Sequence, residues 1–289
     1  MSALPETHAI FDAAGRRITW CEYGDPNGRF AIAAHGTPGS RYQGIPLHEP
    51  AAAAGWRLIF PDRPGYGRTS PLAGTASPDP GFHDWDDDAL AILDHLGADK
   101  ATLLGFSGGG GYALALAARF PARVERLVLV CAMIPGTPRK TLRRRIHLVS
   151  ALYAAARWAP GLAGAMLAGT GVFAHARRNS VSAWPVADQA VMNDPVAKKN
   201  SDLDGHEART QGTAAAVTDL RRYDRELPEP LESITVPTVF LHGSADGNVP
   251  IEVARRAHER IPGSVFETVA GAGHLFLAQD PAPLLRVLR

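Results

Sequence analysis

Short apolar runs alternate with helical patterns along much of the chain. This alternation predicts a mostly parallel sheet covered by helices on both faces. Near the start, residues 7–11 and 16–23 flank the turn-rich sequence Asp12-Ala-Ala-Gly15 and predict a hairpin. Six further apolar runs, punctuated by Gly, Pro or Asp, predict the parallel strands: 30–35, 57–60, 101–105, 126–131, 237–242 and 265–269. The pattern therefore predicts an α/β fold with about eight strands in all.

Helical periodicity fills the segments between these runs, for instance over residues 86–96. Between Pro135 and Pro237 the alternation stops, and Ala-, Arg- and Leu-rich helical sequence intervenes. We interpret residues 136–235 as a helical lid inserted in a core of residues 1–135 and 236–289, because a second independent domain would show clearer linkers. Its apolar residues that are candidates to roof a pocket are Leu148, Leu152, Tyr153, Trp158, Leu162, Met166, Leu167, Phe173 and Trp184.

Composition and charge narrow the classes of protein. The 289 residues are 45% hydrophobic and 20% charged, which is typical of a globular protein. Thirty basic against 29 acidic residues give a formal net charge of +1, so no overall attraction to nucleic acid is expected. The longest weakly apolar stretch, 158–174, contains Pro160 and falls short of a membrane span. No signal peptide is visible, so we expect a cytoplasmic protein in which Cys21 and Cys131 are reduced thiols.

A Gly-x-Ser-x-Gly motif stands where the predicted strand over 101–105 gives way to a helical run. A nucleophile at such a sharp turn needs small neighbours two positions away, and Gly105 and Gly109 meet this need. The motif predicts that Ser107 projects from the carboxyl edge of the sheet as a nucleophile. The glycines 108–111 open the helix although each costs about 1 kcal/mol relative to Ala. Either close helix–sheet packing or space for an acyl group would explain them.

A serine hydroxyl needs a base whose pKa is close to the working pH, which favours histidine. Among 11 histidines, His274 follows the last predicted strand in a glycine-containing loop, from which its imidazole can reach back across the strand ends. The base in turn needs an anion that fixes its tautomer and stabilises the imidazolium. Asp246 stands directly after the preceding strand. We therefore predict a catalytic triad of Ser107, Asp246 and His274.

Five ordered motifs connect the chain to a known family. They are His35-Gly-Thr-Pro-Gly39, Asp62-Arg-Pro-Gly-Tyr-Gly67, the serine motif, His242-Gly-Ser-Ala-Asp246 and Gly273-His274. Through them the chain resembles the lidded, esterase-like serine hydrolases of the α/β-hydrolase superfamily over nearly its whole length. In that fold the triad follows the order serine, acid, histidine, as it does here. The family's acid sometimes follows an earlier strand, but residues 131–135 contain no carboxylate.

The resemblance also implies an oxyanion hole. Attack on a carbonyl develops negative charge on oxygen, which backbone N–H groups stabilise. Gly108 follows the nucleophile, and the resemblance places the amide of Thr37 beside it as the second donor. Residues 62–67 are expected to form a structural turn. His35 and His242 precede Gly at strand ends, where the family uses them structurally, and no metal-ligand spacing is present. We expect neither a metal nor a cofactor.

Together, the motifs and the resemblance predict a serine hydrolase that cleaves an ester-like bond, in a carboxylester, thioester or lactone, through an acyl-enzyme on Ser107. The expected partner is a small, moderately hydrophobic substrate, and a homodimer is left open. Alternatives are a carbon–carbon hydrolase, perhydrolase or lyase with the same triad, a small-amide peptidase and, less favoured, a non-catalytic receptor. A basic cluster is either a solvated face or an attractor of anions, and comprises Arg139, Lys140, Arg143, Arg144 and Arg145.

Overall fold

The computed structural model describes residues 4–72, 81–170, 182 and 185–289. Within these ranges eight strands form one sheet: β1 (His8–Phe11), β2 (Arg17–Gly24), β3 (Arg29–Ala34), β4 (Trp56–Pro61), β5 (Ala101–Phe106), β6 (Val124–Val130), β7 (Thr238–Gly243) and β8 (Val265–Val269). Their order is β1-β2-β4-β3-β5-β6-β7-β8. Strand β2 is antiparallel to β1 and β4, and the other pairs are parallel. The predicted N-terminal hairpin and mostly parallel sheet are confirmed.

Helices α1 (His48–Ala53), α2 (Asp86–His95) and α3 (Gly110–Arg119) lie in the three connections between β3 and β6. Five helices lie between β6 and β7 in the described ranges: α4 (His147–Trp158), α5 (Pro160–Ala168), α6 (Val186–Asn193), α7 (Pro195–Glu207) and α8 (Ala214–Arg222). Helices α9 (Ile251–His258) and α10 (Ala282–Leu288) complete the chain. No helix in the part of the chain that the structure describes is long and apolar enough to cross a bilayer.

The sheet is buried on both faces, which explains why its strands read as continuous apolar runs. Along β5, Leu103 packs on the face covered by α2, α3 and α9, whereas Leu104 packs on the face covered by α1 and α10. Because β3 to β8 run in parallel, the loops that follow them meet at one edge of the sheet. The predicted site residues come from these loops.

Helices α4, α5 and α8 share a small apolar core of their own around Ala156, Ala163 and Leu220. It includes several of the residues expected to roof a pocket, namely Leu152, Tyr153, Met166 and Leu167. Leu148, Trp158 and Leu162 are instead exposed. Phe173 and Trp184 lie outside the described residues. The apolar pattern of this segment therefore reflects the packing of α4, α5 and α8 against one another, because each helix buries its own apolar face.

Candidate active site

Ser107 lies at the turn between β5 and α3, with a backbone φ of +49°. This left-handed conformation is strained for a residue with a side chain, and it turns the hydroxyl away from the sheet. The neighbouring glycines are needed because the backbone is crowded. A Cβ at Gly105 would lie 2.8 Å from the Cβ of Ala113, and one at Gly109 would lie 2.7 Å from the carbonyl oxygen of His35.

The following glycines are explained by the same crowding. A Cβ at Gly110 would lie 2.6 Å from the carbonyl oxygen of Met133, and one at Gly111 would overlap the ring of Phe82. At Gly108 it would lie 2.6 Å from the Cβ of Thr37. Protein atoms therefore occupy the space beside each of these glycines. Of the two explanations offered by the sequence, the structure favours close packing over room for an acyl group.

The structure brings Ser107, His274 and Asp246 together. The Ser107 hydroxyl lies 2.9 Å from Nε2 of His274, and Nδ1 of His274 lies 2.8 Å from Oδ2 of Asp246. The other carboxylate oxygen of Asp246 accepts the backbone N–H groups of Asn248 and Val249, each at 2.8 Å. The loop after β7 therefore fixes the carboxylate, which in turn fixes the tautomer and orientation of the imidazole.

The electrostatics of this pair suit a general base. Burial opposes ionisation of Asp246, but the charges and hydrogen bonds of His274 and His242 outweigh it and hold the pKa of Asp246 well below its usual range. Burial disfavours the charged form of His274, yet the carboxylate of Asp246 overcomes this and raises the His274 pKa above 6.5. The anion thus stabilises the imidazolium that forms when His274 accepts a proton, which makes the deprotonated imidazole a stronger base.

Of the two other strand-end histidines, His242 contacts the triad. Its Nε2 lies 2.8 Å from the carbonyl oxygen of Val249 and 3.3 Å from Oδ2 of Asp246. His35 is a buried structural residue: its Nδ1 contacts the carbonyl oxygen of Gly36, and its Nε2 accepts the backbone N–H of Arg63 at 3.0 Å. His242 thus supports the carboxylate of Asp246, a role that its position before a glycine did not indicate.

One group among the described residues has ligand atoms close enough to suggest a metal: Cys131, Asp246 and His274, within 4.8 Å of one another. Both cysteines of the chain are buried free thiols. Burial raises the pKa of the Cys131 thiol well above its usual value, with Asp246 adding to the effect, so the thiol stays protonated. Metal ligation needs the thiolate. The donor set therefore suits a hydrogen-bonded carboxylate better than a metal ion.

Thr37 and Gly108 lie against each other beside Ser107. Among the residues that the structure describes, the backbone N–H of Thr37 has no protein acceptor. The Thr37 hydroxyl does not face an incoming substrate, because it donates to Oδ2 of Asp219 at 2.8 Å. The hydroxyl of Tyr223 donates to the carbonyl oxygen of Gly108 at 2.9 Å. The two loops that could bind an oxyanion, at Thr37 and at Gly108, are thus fixed by hydrogen bonds to Asp219 and Tyr223.

Asp219, in α8, is the centre of a buried polar network that sequence reasoning missed. Besides Thr37, its carboxylate binds Nη1 of Arg63 at 2.7 Å, the hydroxyl of Tyr66 at 2.7 Å and the hydroxyl of Tyr112. Arg63 also donates to the carbonyl oxygen of Gly36 at 3.1 Å. The predicted structural turn therefore supplies an arginine that ties the loop after β3 to α8.

A second aspartate holds the histidine loop. Asp188, in α6, is fully buried, and its Oδ1 accepts the backbone N–H of Leu275 at 2.7 Å. Its negative charge also contributes to the raised pKa of His274. Helices α6 and α8 therefore each place one carboxylate behind a loop of the sheet edge, and both helices lie between β6 and β7.

Ser107 and His274 open into a cleft whose empty space is about 780 Å³, including the part open to solvent. Phe106, Val130 and Leu277 contribute to its apolar surface. Its polar lining comes from the 3₁₀ helix Arg41–Leu47 and from α7, and includes Gln43, Asn200, Ser201 and Asp204. None of the described residues expected to roof the pocket lines this cleft. Helix α7, which has only a weak apolar pattern, covers it instead.

The basic cluster splits in two. Arg139, Lys140, Arg143 and Arg144 are exposed, and Arg144 pairs with Glu252 at the surface. Arg145 is buried, stacks over the ring of Tyr153 and donates to the carbonyl oxygen of Asn248 at 2.9 Å. It therefore supports the loop that carries Asp246.

Comparison with known proteins agrees with this architecture. The sequence model of the α/β hydrolase fold family matches residues 32–281. The chain is 27% identical to a 2-hydroxymuconate semialdehyde hydrolase of Pseudomonas putida, over 75% of this chain and 70% of that protein. It is 26% identical to epoxide hydrolase A of Mycobacterium tuberculosis, over 98% of this chain and 96% of that protein. An esterase from Rhodococcus is similar in structure, with a TM-score of 0.71 at 22% identity, covering 98% of this chain and 97% of that one.

Proposed function

Since this chain belongs to the α/β hydrolase fold family, we propose that it is a serine hydrolase that cleaves an ester bond of a small, moderately hydrophobic substrate. The observation that carries the proposal is the continuous hydrogen-bonded relay from Ser107 through His274 to Asp246 at the base of a largely apolar cleft. A serine hydroxyl beside a neutral imidazole suits attack on a carbonyl carbon.

In the proposed reaction, Nε2 of His274 takes the hydroxyl proton as Ser107 attacks the ester carbonyl. The backbone N–H groups of Thr37 and Gly108 bind the developing oxyanion, and each such donor is typically worth about 3 kcal/mol. The imidazolium then gives its proton to the departing alcohol, which leaves an acyl-enzyme on Ser107. Water, deprotonated by His274, attacks this ester, and the acid is released with the serine restored.

We further propose that residues 136–235 act as a cap, because α7 lines the cleft and α6 and α8 brace its loops. Such a cap would select substrates by the groups that α7 presents to the cleft.

The carbon–carbon hydrolase alternative takes its support from the Pseudomonas putida relative, which acts on 2-hydroxymuconate semialdehyde. Such a compound carries a carboxylate. Among the described residues that line the cleft, none is a lysine or an arginine. Since a bound carboxylate is normally matched by a cation or several donors, the cleft favours an ester over this substrate.

The proposal is tested by turnover of a panel of p-nitrophenyl acyl esters, with the matched p-nitroanilides and a vinylogous diketone as alternatives. We expect wild type to hydrolyse short-chain esters fastest. Ser107→Ala should lower kcat by more than about ten-thousandfold, the scale of nucleophile loss in serine hydrolases. Ser233→Ala, which removes an exposed hydroxyl, is the matched control and should keep full activity. Turnover of the diketone but not of the esters would replace ester hydrolysis with carbon–carbon cleavage.

A further inference from the structure

The cleft presents one carboxylic acid, Asp204, among the described residues that line it, and no lysine or arginine. Asp204 lies in α7, and its Oδ1 accepts both the backbone N–H of Ser40 at 2.8 Å and the Ser40 hydroxyl at 2.6 Å. These bonds fix the plane of the carboxyl group. They occupy only one of its two oxygens.

The second oxygen, Oδ2, has no hydrogen-bond donor in the described part of the chain, and no cationic side chain forms a salt bridge with Asp204 there. An ionised carboxylate in a largely apolar cleft is costly unless a cation or further donors compensate its charge. The protein therefore leaves one oxygen of Asp204 unpaired in the cleft that Ser107 also lines.

The charges around Asp204 agree with an incomplete site. Burial raises the pKa of Asp204 to about 7, against the lowering effect of the Ser40 hydrogen bonds. Asp62 raises this pKa further, and the positive charge of Arg209 lowers it. A cation bound at Oδ2 would relieve both the burial and the repulsion from Asp62.

We propose that Asp204 recognises a cationic ammonium group on the substrate, so that the favoured esters carry a positive charge and anionic esters are rejected. This inference rests on the proposed function, because it names the substrate class of the same cleft. Asp204 acts on specificity only: it contacts the substrate away from the scissile bond and leaves the chemistry to Ser107 and His274.

The test compares two esters of the same shape. Choline butyrate and neohexyl butyrate differ by a quaternary nitrogen in place of a quaternary carbon, so the ratio of their kcat/KM values isolates the charge. A second pair carries the same replacement on the acyl side: the ethyl esters of γ-butyrobetaine and of 5,5-dimethylhexanoic acid. We expect wild type to favour the cationic member of at least one pair by about tenfold or more, the scale of one close ion contact, since a quaternary nitrogen has no N–H to donate.

Asp204→Asn keeps an acceptor for Ser40 but removes the charge, and should bring that ratio close to one. Asp202→Asn is the matched control, because Asp202 lies on the same helix, is exposed and pairs with Lys198 at the surface. It should leave the ratio unchanged. In wild type the ratio should rise as pH increases through about 7, since Asp204 ionises there while the charge on choline is constant. Effects of His274 on turnover are common to both esters and cancel in the ratio.

Equal kcat/KM values within both pairs for wild type, or a cation preference that survives in Asp204→Asn, would overturn the inference. Neither result would touch the proposed esterase activity, which depends on Ser107. If wild type hydrolyses no ester, calorimetric binding of the same four compounds to Ser107→Ala gives the comparison without turnover. Tighter binding of a cationic member there supports the inference, and equal binding contradicts it.

Discussion

Replacing Asp219 with asparagine tests the buried hydrogen-bond network that holds the loop around Thr37, which we propose binds the oxyanion and call the oxyanion loop. The Oδ2 atom of Asp219 accepts from Arg63, Thr37 and Tyr66, and its Oδ1 accepts from Tyr112. All of these partners are donors, so the NH₂ group of an asparagine would face a donor wherever it replaced a carboxylate oxygen. On the less crowded side it meets a Tyr112 hydroxyl that already accepts from Arg222 at 2.7 Å. No orientation satisfies every partner.

The expected loss of stability depends on how deeply the ion pair between Asp219 and Arg63 is buried. Arg63 is 1% exposed, and Asp219→Asn leaves its guanidinium without a charged partner. Breaking a buried pair in this way typically costs about 3 to 5 kcal/mol. Arg157 and Asp224 form an ion pair of the same 2.7 Å length, but their side chains are 40% and 41% exposed. Exposed pairs contribute about 0 to 1 kcal/mol, so Asp224→Asn is the matched control.

Urea-induced unfolding measures both effects. We expect Asp219→Asn to lower the free energy of unfolding by about 3 kcal/mol more than Asp224→Asn. Under conditions where the variant remains folded, kcat for an ester should also fall, with KM little changed, because Thr37 loses its anchor. If the two variants lie within about 1 kcal/mol of each other, the reasoning that assigns the network a structural role in the oxyanion loop is wrong.

Three further outcomes are expected. The kcat/KM of ester hydrolysis should fall in acid with a midpoint above about 6.5, because protonated His274 cannot act as a base and its pKa is raised. Asp188→Asn keeps an acceptor for Leu275 but removes a charge that raises this pKa, so it should move the midpoint to lower pH; an unchanged or higher midpoint would contradict the assignment. Gly108→Ala should lower kcat by about a hundredfold, because its Cβ would displace Thr37; Gly161→Ala, where a Cβ meets open space, should change kcat little, and equal effects of the two would refute this explanation.

The sheet and the residues at its edge could be predicted from the sequence because short local patterns specify them. Each strand is an apolar run between turn residues, and the predicted strands agree with the observed ones to within two residues at their ends. Ser107, Asp246 and His274 each follow a strand, and parallel strands bring the following loops to one edge. Their proximity therefore needed only the strand order of a known fold, together with short motifs.

The carboxylates of Asp219 and Asp188, which hold the loops of the site, could not be predicted from such local patterns. Asp219 and Thr37 are 182 residues apart, and no local pattern links them. A weak indication existed in α8, where Asp219 stands among the buried residues Ala216, Val217 and Leu220. A charge on an apolar helix face predicts a buried partner, although the sequence does not name it. In the same way, the cleft is lined by α7, whose polar composition offers no apolar face that would mark it as part of a pocket.

The central claim, that Ser107 is the nucleophile activated by His274, is tested most directly by covalent labelling with an organophosphonate ester, followed by intact-protein and peptide mass spectrometry. The geometry predicts one adduct per chain, located on Ser107 and unaffected by Ser233→Ala. Labelling should be lost in Ser107→Ala and strongly slowed in His274→Ala, since the hydroxyl then lacks its base. An adduct that persists in Ser107→Ala, or that forms on another residue of the wild-type protein, would contradict the claim.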